Sequence, residues 1–294
     1  FMIGVLYVAF VWILADLGMP LAFLIIIAAI IAGIQFFVSD KIVLWSMGAR
    51  EVTEAEQPRL HAMVERLAQQ ANLPKPKIAI ANTSVPNAFA TGRDEKHAVV
   101  CVTTGIMDRL NDQEMEAVLA HELTHVINRD MLVMAIAAFL SMIAALATRW
   151  LFNMALWGGM MGGYGRGRGR GDQNAGAILL IATLVSMVVY FIGFLLTQAL
   201  SRYREYAADR GSALITGQPE HLISALMKID NSVQSGRIPD RDLRQAEPAN
   251  AMGIFPAIKG GSVAEILSTH PSLQHRVAKL QAMQEQMERA PRLH

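Results

Sequence analysis

Four long apolar runs divide this sequence, and polar stretches of very different length separate them. FMIGVLYVAFVWILA runs to Ala15, and LAFLIIIAAIIAGIQFFV covers Leu21–Val38. The short break Asp16-Leu-Gly-Met-Pro20 between them predicts a helical hairpin. A third run carries no charge from Met131 to Thr148 and stays largely apolar toward Trp157; the fourth covers Ala177–Leu200. Buried core helices reach roughly 10–14 apolar residues, and a bilayer span needs about 20. The second and fourth runs are too long for a core, so the pattern predicts four membrane helices. The first run is short for a span and the chain has no basic residue before Lys41, so it is expected to start inside the first membrane helix rather than with a signal peptide.

This gives a hairpin over 1–38, a polar part over 39–130, two more membrane helices over 131–200 and a second polar part over 201–294. Parity puts both polar parts on one side of the membrane, where they can meet as one domain. The stretch GGMMGGYGRGRGRGDQN (158–174) falls on the other side and reads as a flexible Gly-rich linker. Lys41, Arg50, Arg129, Arg202, Arg204 and Arg210 flank the spans on the large-domain side, against Arg166, Arg168 and Arg170 opposite. That bias places the large domain in the cytoplasm.

Within the polar parts the pattern is α+β. Thr53 with Glu56 has the form of a capping box, and Leu60, Met63, Val64 and Leu67 follow at helical spacing. KIAIAN (77–82) and HAVVCVTTG (97–105) read as strands bounded by Pro, Asn and Gly. Asn111 with Glu114 marks another helix start, and that helix leads to the third apolar run.

Composition narrows the class. Charged residues make up 17% of the chain, against about 25% in soluble domains. A net charge of +1 gives no electrostatic footprint for nucleic acid. The single cysteine, Cys101, sits in an apolar strand and reads as a small core residue.

The helix after Asn111 carries His121-Glu-Leu-Thr-His125. Histidines at i and i+4 share a helix face and can reach one Zn²⁺, with Glu122 beside the water as base. A catalytic zinc needs a third protein ligand and an open position. The candidate follows the fourth apolar run, in SRYREYAADRGSAL. There Glu205 is the candidate third ligand, and Asp209, at i+4, would then orient one histidine from behind. A basic helix at the membrane surface is the plain alternative for this segment.

HELTHVINRD, a pair of spans, REYAADRGSAL and then STHPSLQHR together resemble the HtpX-type membrane zinc metalloproteases, relatives of the CAAX prenyl-protein endopeptidases. The resemblance covers nearly the whole chain. The short N-terminus and the Gly-Arg loop depart from the family pattern, and neither touches a ligand. The resemblance implies a zincin-like metalloprotease domain on four transmembrane helices, holding one Zn²⁺ on His121, His125 and Glu205. The two polar parts are then the halves of the catalytic domain. It further implies His270 as a second catalytic residue steadying the oxyanion; a histidine before Pro271 at the start of a helix is the plain reading. Arg276, on the helix that follows, is expected to pair with Asp209. Asn87, Ala88 and Phe89, in VPNAFATG, are implied beside the substrate backbone; a hairpin loop held by Asn and Gly is the alternative. AMGIFPAIKGG (251–261) is expected to add an apolar wall through Met252, Ile254 and Phe255. Substrates would be membrane or unfolded polypeptides handled in quality control and stress response at the cell inner membrane. A scaffold without activity has no use for Glu122. A transporter needs polar residues in its spans, which are few here. A prenyl-protein protease would want more spans around a chamber.

Overall fold

A computed structural model describes residues 20–161, 172–234 and 271–289. It divides into two compact units. One holds the described residues up to Phe36 together with Met134–Thr197; the other holds Phe37–Val133 and the described residues from Gln198 onward. Four helices that matter below are α1 (Leu21–Ser46), α3 (Asp112–Ile127), α4 (Asp130–Met161) and α5 (Asp172–Thr216).

The first unit is helical. Ile181, Leu184, Val185, Val188 and Phe191 lie exposed along α5. Apolar surface on that scale needs a cover other than water. Among the described residues, Thr183–Thr216 is the one unbroken stretch long and apolar enough to cross a membrane. Asp112–Ile127 and Asp130–Leu146 meet that measure only as a pair, bent by 56°. The helices also run further into the Gly-Arg stretch than the sequence suggests: α4 continues to Met161 and α5 begins at Asp172.

The second unit is built on a mixed four-stranded sheet in the order β1-β2-β4-β3, with β1 Ala49–Glu51, β2 Lys77–Ala81, β3 Ala88–Thr91 and β4 Val99–Thr103. The central pair β2 and β4 is parallel, with Ala79 opposite Cys101; β1 and β3 flank it antiparallel. Both faces are covered, which is why KIAIA and VVCVT carry so little polar alternation. Ile78, Val100 and Val102 face a core with Leu60, Val64 and Leu67 of α2 (Pro58–Gln70) and Val118, Leu119 and Leu123 of α3. Leu222, Leu226 and Ile229 of α6 (Pro219–Gln234) and Leu280 of α7 (Leu273–Arg289) complete it. Ala79, Ala81, Phe89, Val99 and Cys101 face a second, smaller cluster with Met47. Cys101 is fully buried there, and burial pushes its thiol up to about 12.

Two sequence expectations shift. The Thr53–Glu56 pair makes its bond, with the Thr53 N–H donating to Glu56 Oε2 at 2.8 Å, but it closes a turn. The helix itself begins later, at Pro58, whose fixed φ suits the first helical position. VPNAFATG is not only a loop, because Ala88–Thr91 is itself the edge strand.

The start of α3 is fixed reciprocally. Asn111 Oδ1 accepts from the Glu114 N–H at 2.9 Å, and Glu114 Oε2 accepts from the Asn111 N–H at 3.0 Å. Glu114 also accepts from Ser224 Oγ (2.6 Å) and Lys228 Nζ (2.7 Å) on α6. Further along, α3 meets α5 closely. Ser212 Oγ donates to the Ala117 carbonyl at 2.6 Å. A Cβ on Gly211 would fall 2.3 Å from Thr124 Cγ2 and 2.4 Å from its Oγ1, so only glycine permits this approach.

Gly211→Ala therefore tests the packing with a reversed sign. Alanine in a helix interior normally stabilises by up to about 1 kcal/mol. Here overpacking should instead destabilise by about 1–3 kcal/mol. Thermal unfolding of the detergent-solubilised protein should show a lowered midpoint, largely restored when Thr124→Ala is added. A raised midpoint in the single variant would contradict the close crossing.

Candidate metal centre

The crossing of α3 and α5 brings three donor groups together. His121 and His125 come from α3 and Glu205 from α5, and one ligand atom from each lies within 4.8 Å of the others. The two Nε2 atoms are 3.2 Å apart. Glu205 Oε2 is 3.7 Å from His121 Nε2, and Glu205 Oε1 is 3.7 Å from His125 Nε2. The edge of a zinc tetrahedron with ligands at roughly 2.0–2.1 Å is about 3.3 Å, close to these separations.

The other ring nitrogens face carboxylates. His121 Nδ1 lies 3.1 Å from Asp209 Oδ1, and His125 Nδ1 lies 2.6 Å from Asp130 Oδ2. A carboxylate at Nδ1 fixes the proton there and leaves the lone pair on Nε2. Both lone pairs then point into the same small space, which suits a cation between them. Arg276 holds Asp209 with two bonds, Nε to Oδ2 at 2.9 Å and Nη2 to Oδ1 at 2.6 Å, and its Nη1 reaches Glu205 Oε2 at 3.5 Å. Arg276 is 1% exposed, so it acts as a buried counter-ion.

Glu122 projects from α3 toward β3. Its Oε2 accepts the Ala90 N–H at 2.9 Å, while Oε1, also buried, has no hydrogen-bond partner among the described residues. Burial pushes the Glu122 carboxyl up to about 8; nearby Glu205 adds to the rise, and His121 opposes it. Burial works against a charged His121, yet its contacts with Asp209 and Glu205 outweigh that and lift it to about 9. Burial lowers His125 below its ordinary value, against the pull of Asp130.

Because Ala90 turns its N–H to Glu122, the alternation of an antiparallel pair turns the Ala88 N–H the same way, off the ladder. Asn87 is 1% exposed, and neither its side-chain oxygen nor its nitrogen has a partner among the described residues. Phe89 departs from expectation. Its ring is fully buried beneath the sheet with Met47, Val85 and Cys101, so it anchors the strand rather than facing a peptide. All of β3 is buried. His270 and the 251–261 segment lie outside the described residues.

The sequence reading overlooked Asp130. It stands five residues past His125, beyond a helix break, where i,i+4 reasoning does not reach. The signal was present in Asn128-Arg-Asp130: Arg129 takes a positive φ of 52°, which turns the chain so that Asp130 folds back on His125.

Comparison with known proteins gives the family and the fold. The model of "Peptidase family M48" matches residues 54–284. "Protease HtpX homolog" of Moorella thermoacetica is 50% identical over 288 residues, covering 98% of this chain and 93% of that protein. "Protease HtpX homolog 2" of Methanosarcina acetivorans is 52% identical over 287 residues, with the same coverage of both. Among solved structures, that of S. mikatae Ste24p aligns over 95% of this chain with a TM-score of 0.60 and 16% identity. That likeness is one of fold, and the chain spans 63% of the Ste24p chain.

Metal uptake should follow the protons. His121 must lose a proton bound up to about pH 9 before it can act as a ligand, so protons compete with the metal below that pH. In chelator-stripped protein, zinc affinity should rise from pH 7 to pH 9 by about tenfold per pH unit for each proton displaced. Competition titration against a chelator of known pH dependence measures this. A flat profile over that range would contradict the arrangement.

Proposed function

Because the chain belongs to peptidase family M48 and is a metallopeptidase, we propose that it is an integral-membrane, zinc-dependent endopeptidase acting on membrane or membrane-proximal polypeptides in protein quality control. The observation that carries this reading is the convergence of His121, His125 and Glu205 with the Glu122 carboxylate alongside, next to the edge strand β3. One Zn²⁺ held by those three donors would supply Lewis acidity to a water and to the scissile carbonyl.

The chain's own residues do the rest. Glu122, fixed through Oε2 by the Ala90 N–H, takes the proton as water attacks and returns it to the leaving amine. Its raised proton affinity suits a group that must both accept and release a proton near neutral pH. Asp209 and Arg276 hold His121 in its ligating tautomer. His270 steadies the oxyanion as charge builds on the carbonyl. An extended peptide lies beside β3. The Ala88 N–H, turned off the ladder, and the carboxamide of Asn87, which offers both a donor and an acceptor, read its main chain. Main-chain reading does not discriminate sequence, which suits a protease for many damaged substrates.

Four membrane helices anchor this domain, and the Lys/Arg bias places it on the cytoplasmic face of the cell inner membrane. The long apolar stretch of α5 and its exposed Leu184, Val188 and Phe191 support the membrane part of the reading.

Glu122→Gln should abolish peptide hydrolysis while zinc stays near one per chain by elemental analysis. Turnover in that variant would remove Glu122 as the base. Glu205→Ala should lose zinc and activity together, and Asp209→Asn should weaken zinc binding about 10–100-fold. Full zinc occupancy in Glu205→Ala at dilute metal would point to another third ligand. His270→Ala should lower kcat by about 10²–10³ at unchanged zinc content; an unaltered kcat would return His270 to a structural role.

A further inference from the structure

Behind His125 stands a relay that mirrors the one behind His121. Asp130 Oδ2 lies 2.6 Å from His125 Nδ1, and Arg204 Nε lies 3.1 Å from the same oxygen. Asp130 is 3% exposed, and the Arg204 side chain is 15% exposed. The carboxylate therefore meets the imidazole and the guanidinium in a largely dry setting, where each partner limits where it can point. Asp130 is also the first residue of α4, where a carboxylate is favoured by the helix N-terminus. Its position is fixed from the preceding residue as well. Arg129, at its positive φ, directs Nε and Nη2 to Glu95 Oε1 at 3.1 and 3.0 Å.

We propose that Asp130, ion-paired with Arg204, is a positioning residue that fixes the tautomer and ring orientation of His125 for metal binding. The inference rests on the metallopeptidase reading above. Chemically the step is simple. Asp130 accepts the Nδ1–H of His125, so the Nε2 lone pair is the one that faces His121 and Glu205. Arg204 pairs with the same carboxylate oxygen from the other side. Arg204 directly precedes Glu205, so one turn of α5 supplies the third donor and also braces the second histidine. The next turn carries Asp209, which lies against His121. All three donors are thus set from three positions on two adjacent turns of a single helix.

The test uses the full chain in detergent and titrates it with zinc and, separately, with Co²⁺. Asp130→Ala should weaken zinc binding about 10–100-fold, the usual cost of losing a partner behind a ligating histidine. It should also change the visible absorption of the Co²⁺-loaded protein, which reports ligand geometry. Asp130→Asn keeps the shape and an acceptor for Nδ1–H but loses the charge. It should keep a Co²⁺ spectrum near that of the wild type and lose about tenfold in zinc affinity. The Asn variant carries the comparison if the Ala variant does not fold. Wild-type zinc affinity in Asp130→Asn, or in a folded Asp130→Ala, overturns the proposal. So does a shared drop in zinc-free thermal stability with the Co²⁺ spectrum of the Ala variant unaltered, because that marks a purely structural role. A wild-type chain that takes up no zinc in the same titration overturns the parent reading as well, and is told apart by that control.

Discussion

The site depends on how closely α3 and α5 approach. Gly211 has no side chain at the point where Thr124 presses against α5, and Ser212 ties the two helices through the Ala117 carbonyl at 2.6 Å. Thr124 lies inside the motif that carries both histidines, and Gly211 lies two residues past Asp209. A methyl group at the contact would push apart the helix that supplies two donors and the helix that supplies the third. Donor separations of 3.2–3.7 Å leave little room for such a shift.

The electrostatics follow from that closeness. Glu122, Glu205, Asp209 and Asp130 are all at most 5% exposed, and burying ionised carboxylates is costly unless they are paired. Arg276 and Arg204 supply two of the four positive charges needed. With neutral histidines the cluster is short by two, the charge of one divalent cation. The raised value of His121, lifted by Asp209 and Glu205, expresses the same shortfall, since a proton is the other cation that can settle there. A metal ion suits this pocket because it supplies that charge without occupying the Nδ1 positions that Asp209 and Asp130 already face.

Much of this was legible in the sequence where the information is local. The i,i+4 spacing puts His121 and His125 on one face whatever the tertiary structure, and Glu205 and Asp209 likewise share a face of α5. The Asn111–Glu114 cap reads correctly because both partners lie within one turn. Failures came where a contact between distant residues decided the outcome. Ala88–Thr91 is a strand because β4 pairs with it, although its flanking Asn and Gly read as a loop. Phe89 belongs to the core because the pleat turns its ring under the sheet. Asp130 reaches His125 only through the turn at Arg129. The role of Gly211 is visible only against Thr124.

The central claim is that two imidazoles and one carboxylate, brought together by two crossing helices, bind one zinc. X-ray absorption at the zinc edge of the purified protein tests it most directly. The account predicts a light-atom shell at about 2.0–2.1 Å with the outer-shell scattering of two imidazoles. One imidazole or three, a sulfur shell near about 2.3 Å, or protein that retains no zinc would contradict it.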